Sequence, residues 1–267
     1  MSLNWNDVPE IFQPFKDKIS STLKSSIEID IQPEQDLTLW QSKIGGKPYL
    51  SLGQSYPESA EGEALQLLAQ INFAELPENE VYPKSGLLQF FINPNDDLYG
   101  LNFDDQQKQD GFRVIYIEDV TQDIAQLEQT FPTLDSENTL SPIEGQYAIR
   151  FQLDQQYIGL SEFNFSEKVT DVSTMEDDVA EEFWDEYGET FSANGHRLSG
   201  YAFFTQTDPR EYNEKIQDYV LLLQIDTDDS DGKNIMWGDS GVGNFFIHPE
   251  DLKKRDFSKV LYNWDCY

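Results

Sequence analysis

Apolar residues recur along this chain in two rhythms. Near the N-terminus, Val8, Ile11, Phe12, Phe15, Ile19 and Leu23 fall at helical spacing behind Asn6 or Asp7 as cap, which predicts one amphipathic helix. From Ile27 the rhythm drops to two: in IEIDI, Ile27, Ile29 and Ile31 alternate with carboxylates, as a half-buried strand requires. Strand-like runs follow at 67–73, 87–92, 113–119, 147–153, 201–206, 220–226, 243–247 and 259–265. The pattern predicts a mainly β fold with minor helices.

Two segments interrupt it with helical spacing. TQDIAQLEQTF (121–131) offers Thr121 as cap, Ile124, Leu127 and Phe131 on one face and Pro132 as stop. STMEDDVAEEFWDEYGE offers Ser173 or Thr174 as cap, Met175, Val179, Phe183 and Tyr187 on one face and Gly188 as terminator. Between Glu176 and Glu189 this second segment carries eight carboxylates, Glu181, Glu182, Asp185 and Glu186 among them, and no base. Such crowding destabilises an isolated helix by a few tenths of a kcal/mol per pair. Packing or a cationic partner must therefore hold it.

The chain also repeats itself. Laid under GDSGVGNFFIHPED (238–251), PKSGLLQFFINPND (83–96) places Ser85 on Ser240, Gly86 on Gly241, Phe90-Phe91-Ile92 on Phe245-Phe246-Ile247, Pro94 on Pro249 and Asp96 on Asp251, at a constant shift of 155 positions. Gln70-Ile71 matches Gln224-Ile225, and Gly46 matches Gly200, at a shift of 154. The pattern predicts a single domain over 1–267, with antiparallel, roll-like sheets from two pseudo-duplicated units (about 27–119 and 196–265), an N-terminal helix and a helical insertion at about 120–195.

The repeat decides how GDSG is read. The tetrapeptide surrounds the nucleophile of trypsin-like proteases, but a triad needs a histidine base held by a carboxylate, and only His196 and His248 exist. His196 lies too close in sequence to Ser240 for the two-barrel fold, and His248 aligns with Asn93 and Asp239 with Lys84. Both units keep Ser-Gly before an aromatic strand, as a turn and a buried strand need. No catalytic residue is assigned.

Charge narrows the function classes. The chain has 267 residues, 18 Lys plus Arg and 50 Asp plus Glu, for a net charge of −32. Nucleic acid and anionic membranes would be repelled, and no window has the apolar length of a membrane span. The one cysteine, Cys266, excludes an intramolecular disulfide or a multi-Cys metal site. DTDDSDG (226–232) lacks EF-hand register and reads as a solvated turn, with weak Ca²⁺ binding as the alternative. No metal site or cofactor is expected. Polar residues in which the second unit departs from the first remain as candidates: His196 and Arg197 before the 201–206 segment, Asp208 and Arg210 after it, and Trp237 and Asp239 before Ser-Gly. They would face a cleft between the units, or else serve as turn, ion-pair and core residues.

SKIGGKPYL, LAQINFAELP, LLQFFI, GYAFFTQTDPR, LLLQID and WGDSGVGNFFIHPEDL together resemble the YwqG-like family of bacterial proteins, over about residues 27–265. The resemblance implies a mainly β, roll-like single domain in a bacterial cytoplasm and carries no catalytic residues. The association of some members with polymorphic toxin systems implies an immunity-like role. The expected function is a non-enzymatic, acidic protein-binding module for a basic protein, immunity- or antitoxin-like. The alternative is a small-ligand-binding protein or hydrolase-like enzyme using the inter-unit cleft. Oligomeric state is left open.

Overall fold

The computed structural model describes residues 3–34, 36–133 and 139–267. A 3₁₀ turn (Glu10–Phe15) and α1 (Lys16–Ser21) lead into β1 (Lys24–Pro33), β2 (Lys43–Gly45), β3 (Gln66–Asn72), β4 (Leu87–Ile92) and β5 (Phe112–Ile117). After β6 (Gln146–Gln156) come α2 (Phe165–Lys168), α3 (Asp177–Thr190), β7 (Arg197–Ser199), β8 (Val220–Asp226), β9 (Val242–Ile247), α4 (Pro249–Lys254) and β10 (Leu261–Asp265). The fold is mainly antiparallel β, and all ten strands form one sheet in the order β10-β9-β8-β7-β1-β6-β2-β3-β4-β5.

That order is balanced about its centre. The two long strands β1 and β6 pair through Asp30↔Arg150, with β2 to β5 running outward on one side and β7 to β10 on the other. The first strand of each half lies beside the other half: β1 pairs with β7 (Ile27↔Leu198) and β6 with β2 (Ile44↔Tyr147). Even the irregularities correspond, with a register shift at Leu67/Ala69 on β3 and one at Leu221/Leu223 on β8. Besides α2 and α3, the stretch 120–195 contains the eleven-residue strand β6, which lies between β1 and β2 at the centre of the sheet.

The sheet curls until its halves face one another. Phe90 of β4 and Phe245 of β9 are both fully buried, with ring centroids 4.8 Å apart; Tyr262 stacks on Phe245, and Phe112 packs beside both at a tilt. Side-chain alternation sends the next residue of each pair to the opposite face. Phe91 accordingly packs with Leu65 and Leu67, and Phe246 with Ala202, Phe204, Leu221 and Leu261. Where a cleft between the units was expected, the structure has this packed aromatic interior.

Several local expectations are replaced. Residues 201–206 form no strand. Their backbone N–H groups are bonded by side chains instead: Gln156 accepts from Tyr201, Glu162 from Ala202, Gln224 from Phe203, Ser161 from Phe204 and Asp265 from Thr205. Buried backbone must be paired somehow, and here no neighbouring strand is needed. Tyr49 is held the same way in the first half, by Gln70 and Gln89, as Phe203 is by Gln224 and Asn244. The helix expected at 121–131 reduces to one 3₁₀ turn, Ile124–Gln126, because Gln126 and Glu128 pair with the backbone of Leu52 and Leu50. The N-terminal helix is likewise split, with Pro14 inside its 3₁₀ part, where it can donate no helix hydrogen bond. α3 starts after Glu176 rather than at Ser173 or Thr174, and runs through Gly188.

Candidate functional site

Arg210 and Asp208 are brought together as the turn-stabilising reading of TDPR requires, and a third residue completes the set. The guanidinium donates from Nε to Asp208 Oδ1 (2.9 Å) and from Nη2 to Asp208 Oδ2 (2.6 Å) and Glu162 Oε2 (3.0 Å). Nη1 donates to the Tyr219 carbonyl (3.1 Å), and the guanidinium carbon lies 4.6 Å from the centre of Phe246 and 5.3 Å from that of Phe163. All three charged side chains are buried. Burial alone would lower the arginine's pKa, but Glu162 and Asp208 overcome it and raise it above the ordinary value. The remaining carboxylate oxygens are also bonded, Glu162 Oε1 by Ala202 N–H and Asp208 by the amides of Phe163 and Arg210. This network fastens the 159–163 loop to the turn at 208–210. Glu162 had no signal in the sequence, since it lies 46 positions from Asp208 and in no repeat.

His196 and Arg197 serve the sheet. Asp226 N–H donates to His196 Nδ1 at 3.0 Å, and Nε2 faces Asp228 at 3.6 Å. Both ring nitrogens are thereby engaged, and no nucleophile is among their partners. Hydrogen bonding from His196, with Lys233 and Ser230, holds the Asp228 carboxyl well below its usual range, while burial pushes that of Asp226 up. Arg197 is buried and donates to the Asn194 carbonyl; burial lowers its pKa against the pull of Asp154, Glu28 and Asp226. Its counterpart at the repeat shift is Lys43, also buried, whose ammonium donates to the carbonyls of Thr38 and Lys47 and whose pKa burial lowers to about 8 despite Glu75. A buried cation at this strand is thus a feature of both halves.

The GDSG turn is steric in origin. Gly238 (φ 54°) and Ser240 (φ 59°) both adopt the left-handed region, and a Cβ on Gly241 would overlap the Asp265 carbonyl oxygen. A Cβ on Gly243 would overlap the indole of Trp237, which is fully buried against Tyr99 and Trp264. Ser240 and Asp239 are exposed. The second histidine, His248, caps α4 by accepting from Glu250 N–H. Trp237, His196, Arg197 and Arg210 are thus buried and bonded or packed within the fold, and Asp239 is exposed.

What the structure assembles instead is a cavity of about 620 Å³ at one side of the second half, between α3, the 159–173 segment and residues 203–208. α3 buries Phe183 and Tyr187 against Phe12 of the N-terminal segment, with rings edge-on at 5.1 and 5.3 Å. Its other side carries Glu181, Glu182 and Asp185 outward, with Glu186 half-exposed. Trp184, 45 % exposed, lines the cavity from the helix, and Tyr267, 76 % exposed, lines it from the opposite side. Phe163, Tyr187, Phe191 and Phe203 add aromatic surface, and Glu162, Asp171, Asp208 and Glu211 are its carboxylates. Among the described residues, no Lys, Arg or His lines it. Of the candidate site residues named from sequence, Asp208 alone is among its described lining residues; Ser173, Tyr187 and Gly188 line it too but were read as parts of a helix, and Trp184 was given no role.

Among the described residues no group of His, Cys, Asp and Glu is arranged to hold a metal ion, and no helix is long and apolar enough to cross a membrane. No curated protein matches the chain. A family model does: residues 42–266, nearly the whole sheet with its cavity and buried arginine, match the domain of unknown function DUF1963, and the chain belongs to that family.

Proposed function

We propose that the protein is a non-enzymatic binding module for a basic protein, immunity- or antitoxin-like, in a bacterial cytoplasm as its resemblance to YwqG-like proteins implies. The observation that supports this is α3. Two buried aromatics anchor it while its outward carboxylates enter no ion pair among the described residues. On a chain of net charge −32, this face projects a negative potential able to steer a basic partner. The engagement of His196 and His248 by backbone amides supports the non-enzymatic part of the reading. We also read the two sheet halves as copies of one duplicated unit, on the strength of their matching registers.

Affinity capture from the native cell at low and high salt tests the reading. The partner should be basic and should elute as salt shortens the Debye length from about 10 Å at 0.1 M to about 3 Å at 1 M. Replacing Glu181, Glu182 and Glu186 by Gln and Asp185 by Asn should slow association about tenfold at low salt and leave thermal stability unchanged or slightly higher. An unchanged association rate would reduce α3 to a solvated face. The second reading, a small-ligand-binding protein, is favoured by the cavity, whose volume lies within the range of about 300–1,000 Å³ common to ligand sites. It would then be the cavity, and not a cleft between the units, that binds.

A further inference from the structure

We infer that the cavity beside α3 is a receptor for a guanidinium side chain, an arginine presented by the basic partner. The inference rests on the binding-module reading and names the chemistry of its contact.

Three features of the cavity select this group. Its charged lining residues, Glu162, Asp171, Asp208 and Glu211, are all carboxylates. Arg210, which lies behind the wall, offsets only one of them, since it sits between Glu162 and Asp208 and leaves that cluster with one formal negative charge. An anionic ligand would meet repulsion here, and a cation attraction strengthened by partial enclosure. The second feature is aromatic. Trp184 and Tyr267 are large rings left exposed at a cavity wall. Ring faces attract cations, tryptophan most strongly, and a planar, weakly hydrated guanidinium stacks on them better than an ammonium does.

The third feature is a worked example in the same wall. Arg210 already occupies a cage made of two carboxylates and two phenylalanine rings, and Glu162, Phe163 and Asp208 belong both to that cage and to the cavity lining. The fold thus solves guanidinium recognition once from within. The adjoining cavity offers the same chemistry, aromatic surface with Asp171 and Glu211 at exposed positions, to a guanidinium from outside. The volume of about 620 Å³ also accommodates an arginine side chain with room for flanking backbone.

The test is a titration of the full chain with N-acetyl-arginine amide and with its uncharged near-isostere N-acetyl-citrulline amide, read by calorimetry and NMR shift changes. The arginine compound should bind saturably in the millimolar range expected of so small a ligand, and the citrulline compound about tenfold more weakly. Trp184→Ala should weaken the arginine compound about threefold or more, and Glu211→Gln should weaken it too, with melting temperature unchanged in both because the two residues are exposed. Equal binding of the two compounds would mean a neutral-ligand site and would overturn the inference. Absence of saturation, or full binding in the Trp184→Ala, Tyr267→Ala double variant, would also overturn it. Charge neutralisation of α3 at 181, 182, 185 and 186 separates the two readings, since none of those residues lines the cavity. If that variant slows the partner while N-acetyl-arginine amide fails to bind wild type, the cavity inference falls alone. If the amide binds but no basic partner responds to neutralisation, the binding-module reading falls and the cation site stands.

Discussion

Replacing Arg210 by Met would remove a cation and keep most of the volume. In the wild type the side chain makes four hydrogen bonds, three to buried carboxylates and one to the Tyr219 carbonyl. Its loss strands Glu162 and Asp208, 5 % and 1 % exposed, where water cannot replace it. Breaking a buried ion pair from one side costs about 3–5 kcal/mol, most of it the penalty of the charge left behind. At about 2 °C per kcal/mol for a chain of 267 residues, the melting temperature should fall by about 6–10 °C in scanning calorimetry. The sign of the pH dependence follows from the same charges. Stranded carboxylates in an apolar site have folded pKa values above their unfolded ones, so their protonation stabilises the fold at low pH and that contribution is lost as pH rises. The deficit of Arg210→Met against wild type should therefore be smaller at pH 5 than at pH 7. The triple variant Glu162→Gln, Asp208→Asn, Arg210→Met retains the oxygens that accept from Ala202 and Arg210 backbone N–H, and should recover more than half of the loss. A loss below about 1 kcal/mol, or a deficit that does not change with pH, would refute the view that this network is sustained by mutual compensation of buried charge.

Other variants probe the rest of the fold. Phe90→Ala and Phe245→Ala should each cost about 3–5 kcal/mol in urea unfolding, and the double variant should lose less than the sum because the rings touch across the curled sheet. Ser240→Gly should leave stability unchanged or raise it, since Ser240 sits at φ 59°, whereas Gly241→Ala should lower the melting temperature sharply by collision with Asp265; fluorophosphonate reagents should leave Ser240 unlabelled. Lys43 has a folded pKa of about 8 against an ordinary 10.5, so the unfolded chain holds the extra proton between those values and the penalty of burying the ammonium fades as pH rises through them. The stability of Lys43→Met relative to wild type should accordingly be most favourable below pH 8 and decline toward pH 10, as read from urea midpoints.

Strand identity was legible along most of this chain because it is a local property. Period-two patterning marks β1, β3, β4, β5, β6, β8, β9 and β10 to within a few residues, and the Phe-Phe-Ile repeat implies that one phenylalanine of each pair enters the core. Spacing also argued against Ser240 as a triad nucleophile, since His196 lies too close in sequence for the two-barrel fold. What the chain order could not show is which strands meet. That β1 lies beside β7, and β6 beside β2, depends on contacts more than a hundred residues apart, and no local pattern encodes them. Backbone pairing by side chains is the second limit. Residues 201–206 have the composition of a strand, and Tyr201, Ala202 and Phe204 are buried, yet Gln156, Glu162, Gln224 and Asp265 take the places that a neighbouring strand would fill. The candidate site shows the same division. The charge of α3 was plain from eight carboxylates in one segment, and the closeness of Asp208 and Arg210 from their two-residue spacing. Glu162, Trp184 and Tyr267 joined them only when three separate segments packed around one space, because a cavity is a property of the surfaces that fail to close and is written in no single stretch of chain.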